Sequence, residues 1–310
     1  MTKKILTAFI AATLLLPTVA QAAPKLQNTT IAPTMAILDT ALDMSIPAFK
    51  DKVIYEVCTL EWSTCSNGKP FMEGPGAASM PLKYMATREF SHGTQMVSAA
   101  IATNPDAKII FIRIVGNTPS GSRQTVGPRG INQALNWVYA NKDKYNIQAV
   151  TMAQGHHNLR SGTNYCPMQS NIVTSVDNLL SAGIPSFFPA GNGYDNKRLD
   201  WPACQPNSIA VGATDQQDEI STYSNYDPLL IDFYALGTMR VYVPGGGEAY
   251  GAGSSVSVQV AGAQWLMLKS AKPNLSYTDL MGLLSKTAKS TRNAFISSNK
   301  LIDIGAAING

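Results

Sequence analysis

Short apolar runs recur along the chain, each of strand length and bounded by polar or glycine-containing segments: Thr34–Leu38, Lys52–Thr59, Lys108–Val115, Gln148–Met152, Ile184–Phe188 and Asn207–Thr214. Stretches with helical spacing alternate with them. One opens at Ser91-His92-Gly93-Thr94 and continues through Met96, Val97, Ala99, Ala100 and Ile101; others cover Ile131–Tyr139 and Ile172–Leu180. Further on, Gly251–Gly262 gathers small residues and the hydroxyls of Ser254, Ser255 and Ser257 at the mouth of an apolar helix running through Val260, Ala261, Trp265 and Leu268. Ser276–Asp279 has the sequence of a capping box for a last helix through Leu280, Leu283 and Leu284, and Ile302–Ala307 closes the chain. Strands alternating with helices predict an α/β fold, a doubly wound, mostly parallel sheet with helices on both faces. In such a sheet functional groups collect at the carboxyl ends of the strands. Two stretches lack periodicity. Glu61–Lys83 reads as an irregular surface excursion, and Ser221–Gly251 as loop; its Pro244-Gly245-Gly246-Gly247 lacks the Gly-Lys-Ser/Thr ending of a phosphate loop and reads as hairpin glycines. Without a repeat or a linker, one domain is expected.

Composition narrows the class. With 45% hydrophobic and 14% charged residues the chain is a packed globular protein, and its net charge of +4 comes without the basic run a nucleic-acid partner would need. Lys3 and Lys4 precede an apolar run from Ile5 to Leu16, then Pro17 and the small-residue site Ala20-Gln21-Ala22. This predicts a secretory signal peptide over residues 1–22, the run being too short to span a bilayer, and a mature exported chain of residues 23–310, periplasmic or released, without a membrane span. In that setting the even set Cys58, Cys65, Cys166 and Cys204 favours disulfides. Of the three possible pairings, Cys58–Cys65 as a local loop with Cys166–Cys204 as a long-range bridge is preferred. No CxxC pair occurs and no histidine is close to a cysteine in sequence, so neither a metal nor another cofactor is expected.

Candidate chemistry lies at three element ends. Asp39 ends the first strand, where an aspartate is unusual unless it caps a turn or serves a site. His92 opens a helix, a place where a lone histidine is ordinarily just polar. Ser254 and Ser255 lie where helix N–H groups and the positive end of the helix dipole are available, which suits an N-cap as well as a nucleophile whose oxyanion needs donors.

Taken together, the segments say more. "AILDTALD", "SHGTQMVSAAIA", "SAGIPSFFPAGNG", "WPACQPNSIAVGATD", "STYSNY" and "VPGGGEAYGAGSSVSVQVAGA" occur in an order that resembles the subtilase family of serine proteases, from about Met35 to Ala307. The resemblance implies a serine endopeptidase acting on polypeptides. Ser255 would attack the peptide carbonyl, His92 would serve as general base and then acid, and Asp39 would hold the imidazole tautomer. Asn192 and the Ser255 N–H would bind the oxyanion. Ala153-Gln154-Gly155 and Ala190-Gly191 correspond to the strands lining the primary substrate pocket, and Gly155 and Gly191 would admit a substrate as an added strand.

This sequence departs from the family pattern in several places. Gly253-Ser254-Ser255-Val256-Ser257-Val258 replaces the usual threonine with Ser254, lacks the following proline and is one residue short. Counting from the glycine makes Ser255 the nucleophile; counting back from Val260-Ala261-Gly262 makes it Ser254. Ala41 stands where glycine is common, a crowding of that turn. The segment from Ala22 to Thr34 holds no long propeptide, so a separate chaperone, activator or inhibitor protein is a conceivable partner. Ile101–Lys108 omits the family's calcium loop and Ala48 replaces a calcium carboxylate, so no calcium is expected there. Two alternatives to a general protease stand: a catalytically inactive peptide-binding protein, and a narrow-specificity toxin-like or maturation protease. Gln154, His156 and His157 suggest a polar pocket wall, though the two histidines fit solvent-facing loop positions equally well.

Overall fold

The computed structural model describes residues 32–156, 166 and 170–310. The expected signal segment and His157 lie outside the described residues. The strands are β1 (Thr34–Asp39), β2 (Val53–Thr59), β3 (Phe71–Glu73), β4 (Lys108–Arg113), β5 (Ile147–Met152), β6 (Ser186–Pro189), β7 (Ile209–Thr214), β8 (Phe233–Leu236), β9 (Thr238–Tyr242), β10 (Glu248–Ala252), β11 (Lys289–Arg292) and β12 (Ser297–Leu301). The helices are α1 (Leu82–Met85), α2 (His92–Thr103), α3 (Pro128–Asn141), α4 (Ser170–Ser181), α5 (Ser254–Ala271), α6 (Tyr277–Thr287) and α7 (Ile304–Asn309).

Ten strands form one sheet in the order β11-β12-β8-β7-β6-β5-β1-β4-β2-β3. Pairing is parallel from β12 through β2, and antiparallel only where β11 and β3 close the two edges. β1 lies at the switch point: the strands that follow it, β2 and β4, are on one side of it and β5 is on the other. The chain thereby opens a crevice at the carboxyl end of β1, which is where Asp39 is.

Side chains of β1 alternate between two cores. Met35 and Ile37 join the apolar cluster under α2 and α5, while Ala36 and Leu38 join the one under α3. A strand buried on both faces needs an unbroken apolar run, and every residue of β1 is buried. The long helix α5 is almost fully buried; its Trp265 Nε1 donates to Gln148 O at 2.9 Å, pinning it to the start of β5. α6 starts with the expected capping box between Ser276 and Asp279. Among the described residues no helix is long and apolar enough to cross a membrane, and no group of three or more His, Cys, Asp or Glu side chains is placed to hold a metal ion.

Two stretches differ from the sequence reading. Glu61–Lys83 is not wholly irregular: β3 adds an antiparallel edge strand to β2, and α1 starts at Leu82. Ser221–Gly251 contains β8 and the β9–β10 hairpin, whose turn holds Gly245 and Gly246 at φ of +90° and +87°. These strands are short or exposed on one face, so their apolar pattern is too brief to show in sequence. Disulfides join Cys58 to Cys65, closing the loop after β2, and Cys166 to Cys204. Each such link typically contributes about 2–4 kcal/mol by restricting the unfolded chain.

Candidate active site

Asp39 is completely buried at the end of β1 and accepts several hydrogen bonds. The Thr40 N–H donates to its Oδ1 at 2.7 Å, and the Gln154 Nε2 donates to the same oxygen at 2.9 Å. His92 Nδ1 faces both carboxylate oxygens, at 2.9 and 3.0 Å. A carboxylate accepts only, so Nδ1 carries the proton and Nε2 is left as the basic nitrogen on the cleft side. The imidazole is 28% exposed, open enough for its outer nitrogen to meet a ligand.

The first turn of α2 is clipped to the end of β1 by one hydroxyl. Thr40 Oγ1 donates to Phe90 O and accepts from the Gly93 N–H, both at 2.9 Å. Residue 93 has to be glycine, because a Cβ there would lie 2.5 Å from Ala41 O and 2.6 Å from the Phe111 ring. The contact is with the backbone of residue 41, so the need for a glycine after the histidine does not depend on Ala41 carrying a side chain. Just beyond, the Asp43 N–H donates to Thr94 Oγ1 at 3.1 Å and Asp43 Oδ2 accepts from Gly245 N at 2.8 Å. Burial pushes the Asp43 pKa up, but hydrogen bonds from Ser45 and Gly245 outweigh it and hold the carboxyl below its ordinary value.

The opposite wall is the start of α5. The two serines are not equivalent. Ser254 is completely buried, and its N–H and its Oγ both donate to Asn192 Oδ1, at 2.8 and 2.9 Å. That leaves the Asn192 Nδ2 donors without a partner among the described residues. Ser255 is partly exposed, with its Oγ donating to Ala153 O at a long 3.4 Å.

These groups border one open cleft of about 640 Å³, lined among others by His92, Asn192, Ser254, Ser255, Arg123 and Asp200. The sequence-predicted residues Ala153, Gln154, Gly155 and Gly191 also reach it. Ala190 does not; it is fully buried, with its carbonyl accepting from Asp200 N. The two glycines are explained by the protein's own packing. A Cβ at Gly155 would lie 2.3 Å from Trp201 O, and one at Gly191, whose φ is +120°, would lie 2.3 Å from Asn225 Nδ2. His156 is not part of the cleft wall: its ring stacks on Trp201 with centroids 5.5 Å apart, and its Nε2 is 3.2 Å from Val126 O.

Sequence reasoning missed three contributions. Thr40 as the clip and Ser254 as the holder of Asn192 were adjacent to residues already singled out. Arg123, which donates to Gln154 Oε1 at 2.5 Å, carried no motif at all.

Comparison with known proteins agrees with this architecture. Alkaline elastase YaB from Bacillus sp. (strain YaB) is 25% identical over 242 residues, covering 75% of this chain and 59% of that protein. Subtilisin amylosacchariticus from Bacillus subtilis subsp. amylosacchariticus is 28% identical over 231 residues, covering 70% and 55%. The chain therefore spans a little over half the length of these curated relatives. Among solved structures, the prenylagaramide maturation protease PagA superposes with a TM-score of 0.66 at 16% identity, over 89% of this chain and 92% of that one, a likeness of fold. The subtilase family's sequence model matches residues 31–301, and this chain belongs to the subtilase family.

Proposed function

We propose that the protein is an exported serine endopeptidase that cleaves polypeptides through an acyl-enzyme on Ser255. The observation that carries this reading is the difference between the adjacent serines of the cleft they share with His92: Ser254 is fully buried and holds Asn192, while Ser255 is partly exposed. A peptide carbonyl seated over Ser255 would exchange the weak bond to Ala153 O for one to His92 Nε2. Ser255 Oγ then attacks the carbonyl carbon as its proton passes to Nε2, and the imidazolium formed is stabilised by Asp39. The Asn192 Nδ2, already oriented through its Oδ1, and the Ser255 N–H receive the oxyanion. Proton return from Nε2 to the amine nitrogen expels the leaving peptide, and water repeats the sequence to release the acid. Export, with residues 1–22 as the signal and 23–310 as the catalytic chain, is supported by the two disulfides.

The test is labelling with a fluorophosphonate serine-hydrolase probe, comparing the wild type with Ser255→Ala and Ser254→Ala and mapping the modified peptide. Labelling lost in Ser255→Ala and kept, though slower, in Ser254→Ala is the expected result. A folded wild type that is not labelled would turn the reading to a peptide-binding protein without turnover.

A further inference from the structure

Gln154 lines the cleft, yet most of it is directed away from solvent. Its side chain is 5% exposed and turned inward, where its two ends meet groups of opposite kind. Nε2 donates to Asp39 Oδ1 at 2.9 Å, and Oε1 accepts from Arg123 Nη2 at 2.5 Å. A guanidinium only donates and a carboxylate only accepts. The amide is therefore fixed in one orientation, since the flipped one would face donor to donor and acceptor to acceptor. Nε2 also lies 3.1 Å from His92 Nδ1. With the Nδ1 proton directed at Asp39 this is a close approach of two donors that share the Asp39 carboxylate.

The carboxylate is consequently held by more than His92: the Thr40 N–H and Gln154 both donate to Oδ1. Gln154 sits next to Ala153, whose carbonyl accepts from Ser255 Oγ. Consecutive residues of the segment after β5 thus touch the acid and the candidate nucleophile. Arg123 comes from a different segment, between β4 and α3, and lines the cleft; its own N–H donates to Glu89 Oε2 at 3.0 Å.

We propose that Gln154 is a positioning residue for the Asp39–His92 pair and that Arg123, from the cleft wall, locks it in place. The inference rests on the reading of Asp39, His92 and Ser255 as a catalytic set. It assigns to a glutamine on the substrate side of the cleft a role in aiming the acid, and it connects a cleft cation to that acid through a single amide.

The experiment compares wild type, Gln154→Met, Arg123→Met and the double variant. Methionine keeps the volume of glutamine and cannot donate. Two readouts are used: peptide hydrolysis resolved into kcat and KM, and the downfield proton resonance of His92 Nδ1, assigned with His92→Gln. In Gln154→Met, kcat should fall about tenfold, the scale of a lost hydrogen bond to a charged group, with KM within about twofold. Arg123→Met should lower kcat less, and the double variant should be no worse than Gln154→Met within about twofold, because Arg123 acts through Gln154. The His92 resonance should move in both single variants. An unchanged kcat, additive losses in the double variant, or a resonance that stays in place overturns the inference while Ser255→Ala still abolishes turnover. If Gln154→Met does not fold, the resonance in Arg123→Met decides. If the wild type itself has no turnover, the catalytic reading falls, and the resonance alone judges the Arg123–Gln154–Asp39 chain.

Discussion

The two walls of the cleft are built differently. On the β1–α2 side, Asp39 is fully buried, bonded by Thr40, Gln154 and His92, and its neighbouring turn is clipped by the Thr40 hydroxyl. On the α5 side, Asn192 is exposed and held by one oxygen, and Ser255 keeps a single long bond to Ala153 O. The contrast follows from what each group has to do. A buried charge is tolerated only when its hydrogen bonds are in place beforehand, and reorganising them during a reaction would add to the barrier. A nucleophile has to exchange partners during the reaction, so a strong resting bond would hold it back.

Perturbing each wall in turn sharpens that comparison. Ser255→Ala should have the largest effect, a fall in kcat of about 10⁶-fold with folding intact, since its neighbour Ser254 is fully buried and bonded to Asn192. If Ser254→Ala instead produced this loss, the assignment of roles on α5 would be reversed. Asp39→Asn should follow, at about 10⁴-fold, because an amide can present its NH2 to Nδ1 and favour the wrong imidazole tautomer. Retained activity there would mean that the β1 wall is structural only. Asn192→Ala should cost about 10²–10³-fold in kcat with little change in KM, as expected of a donor used only in the transition state. Ser254→Ala should cost about tenfold, because Asn192 loses one of the two bonds that orient it. A loss as large as that of Asn192→Ala would show that the Ser254 hydroxyl, and not its N–H, sets the amide.

The smallest expected effect concerns the link between the walls. Asp43 follows the β1 wall in sequence and accepts from Gly245 in the hairpin that leads into α5. Its carboxyl is held below its ordinary value, so its contribution to stability is complete above the unfolded-state range and is lost as pH falls through the folded value. Asp43→Asn should therefore lower the thermal midpoint slightly at neutral pH, and the gap to wild type should close on acidification. A gap that widened in acid would contradict the assigned sign.

The elements whose contacts are local were legible. The apolar runs of β1, β4 and β5 mark strands buried on both faces, and the Ser276–Asp279 box marks the start of α6 with its cap formed as written. The hairpin strands β9 and β10 were not, because most of their residues are half-buried or exposed and carry no continuous apolar run. Gly93 was visible as part of a motif, yet its cause, the Ala41 carbonyl, lies in the connection after β1.

The sequence by itself determined the alternation of strands and helices, and hence that functional groups collect at the carboxyl ends of the strands; that the crevice opens at β1 follows from the strand order. The sequence also placed Asp39, His92 and a pair of serines at element ends, because hydrophobic period and capping chemistry are properties of neighbouring residues. Only the tertiary structure decided that Ser254 is buried and Ser255 partly exposed, that Ser254 holds Asn192 across 62 positions, and that Gln154 reaches Asp39 across 115. A hydrogen bond between such distant residues depends on the crossovers that bring their elements together and on how each side chain turns once the core has packed. No local pattern records either.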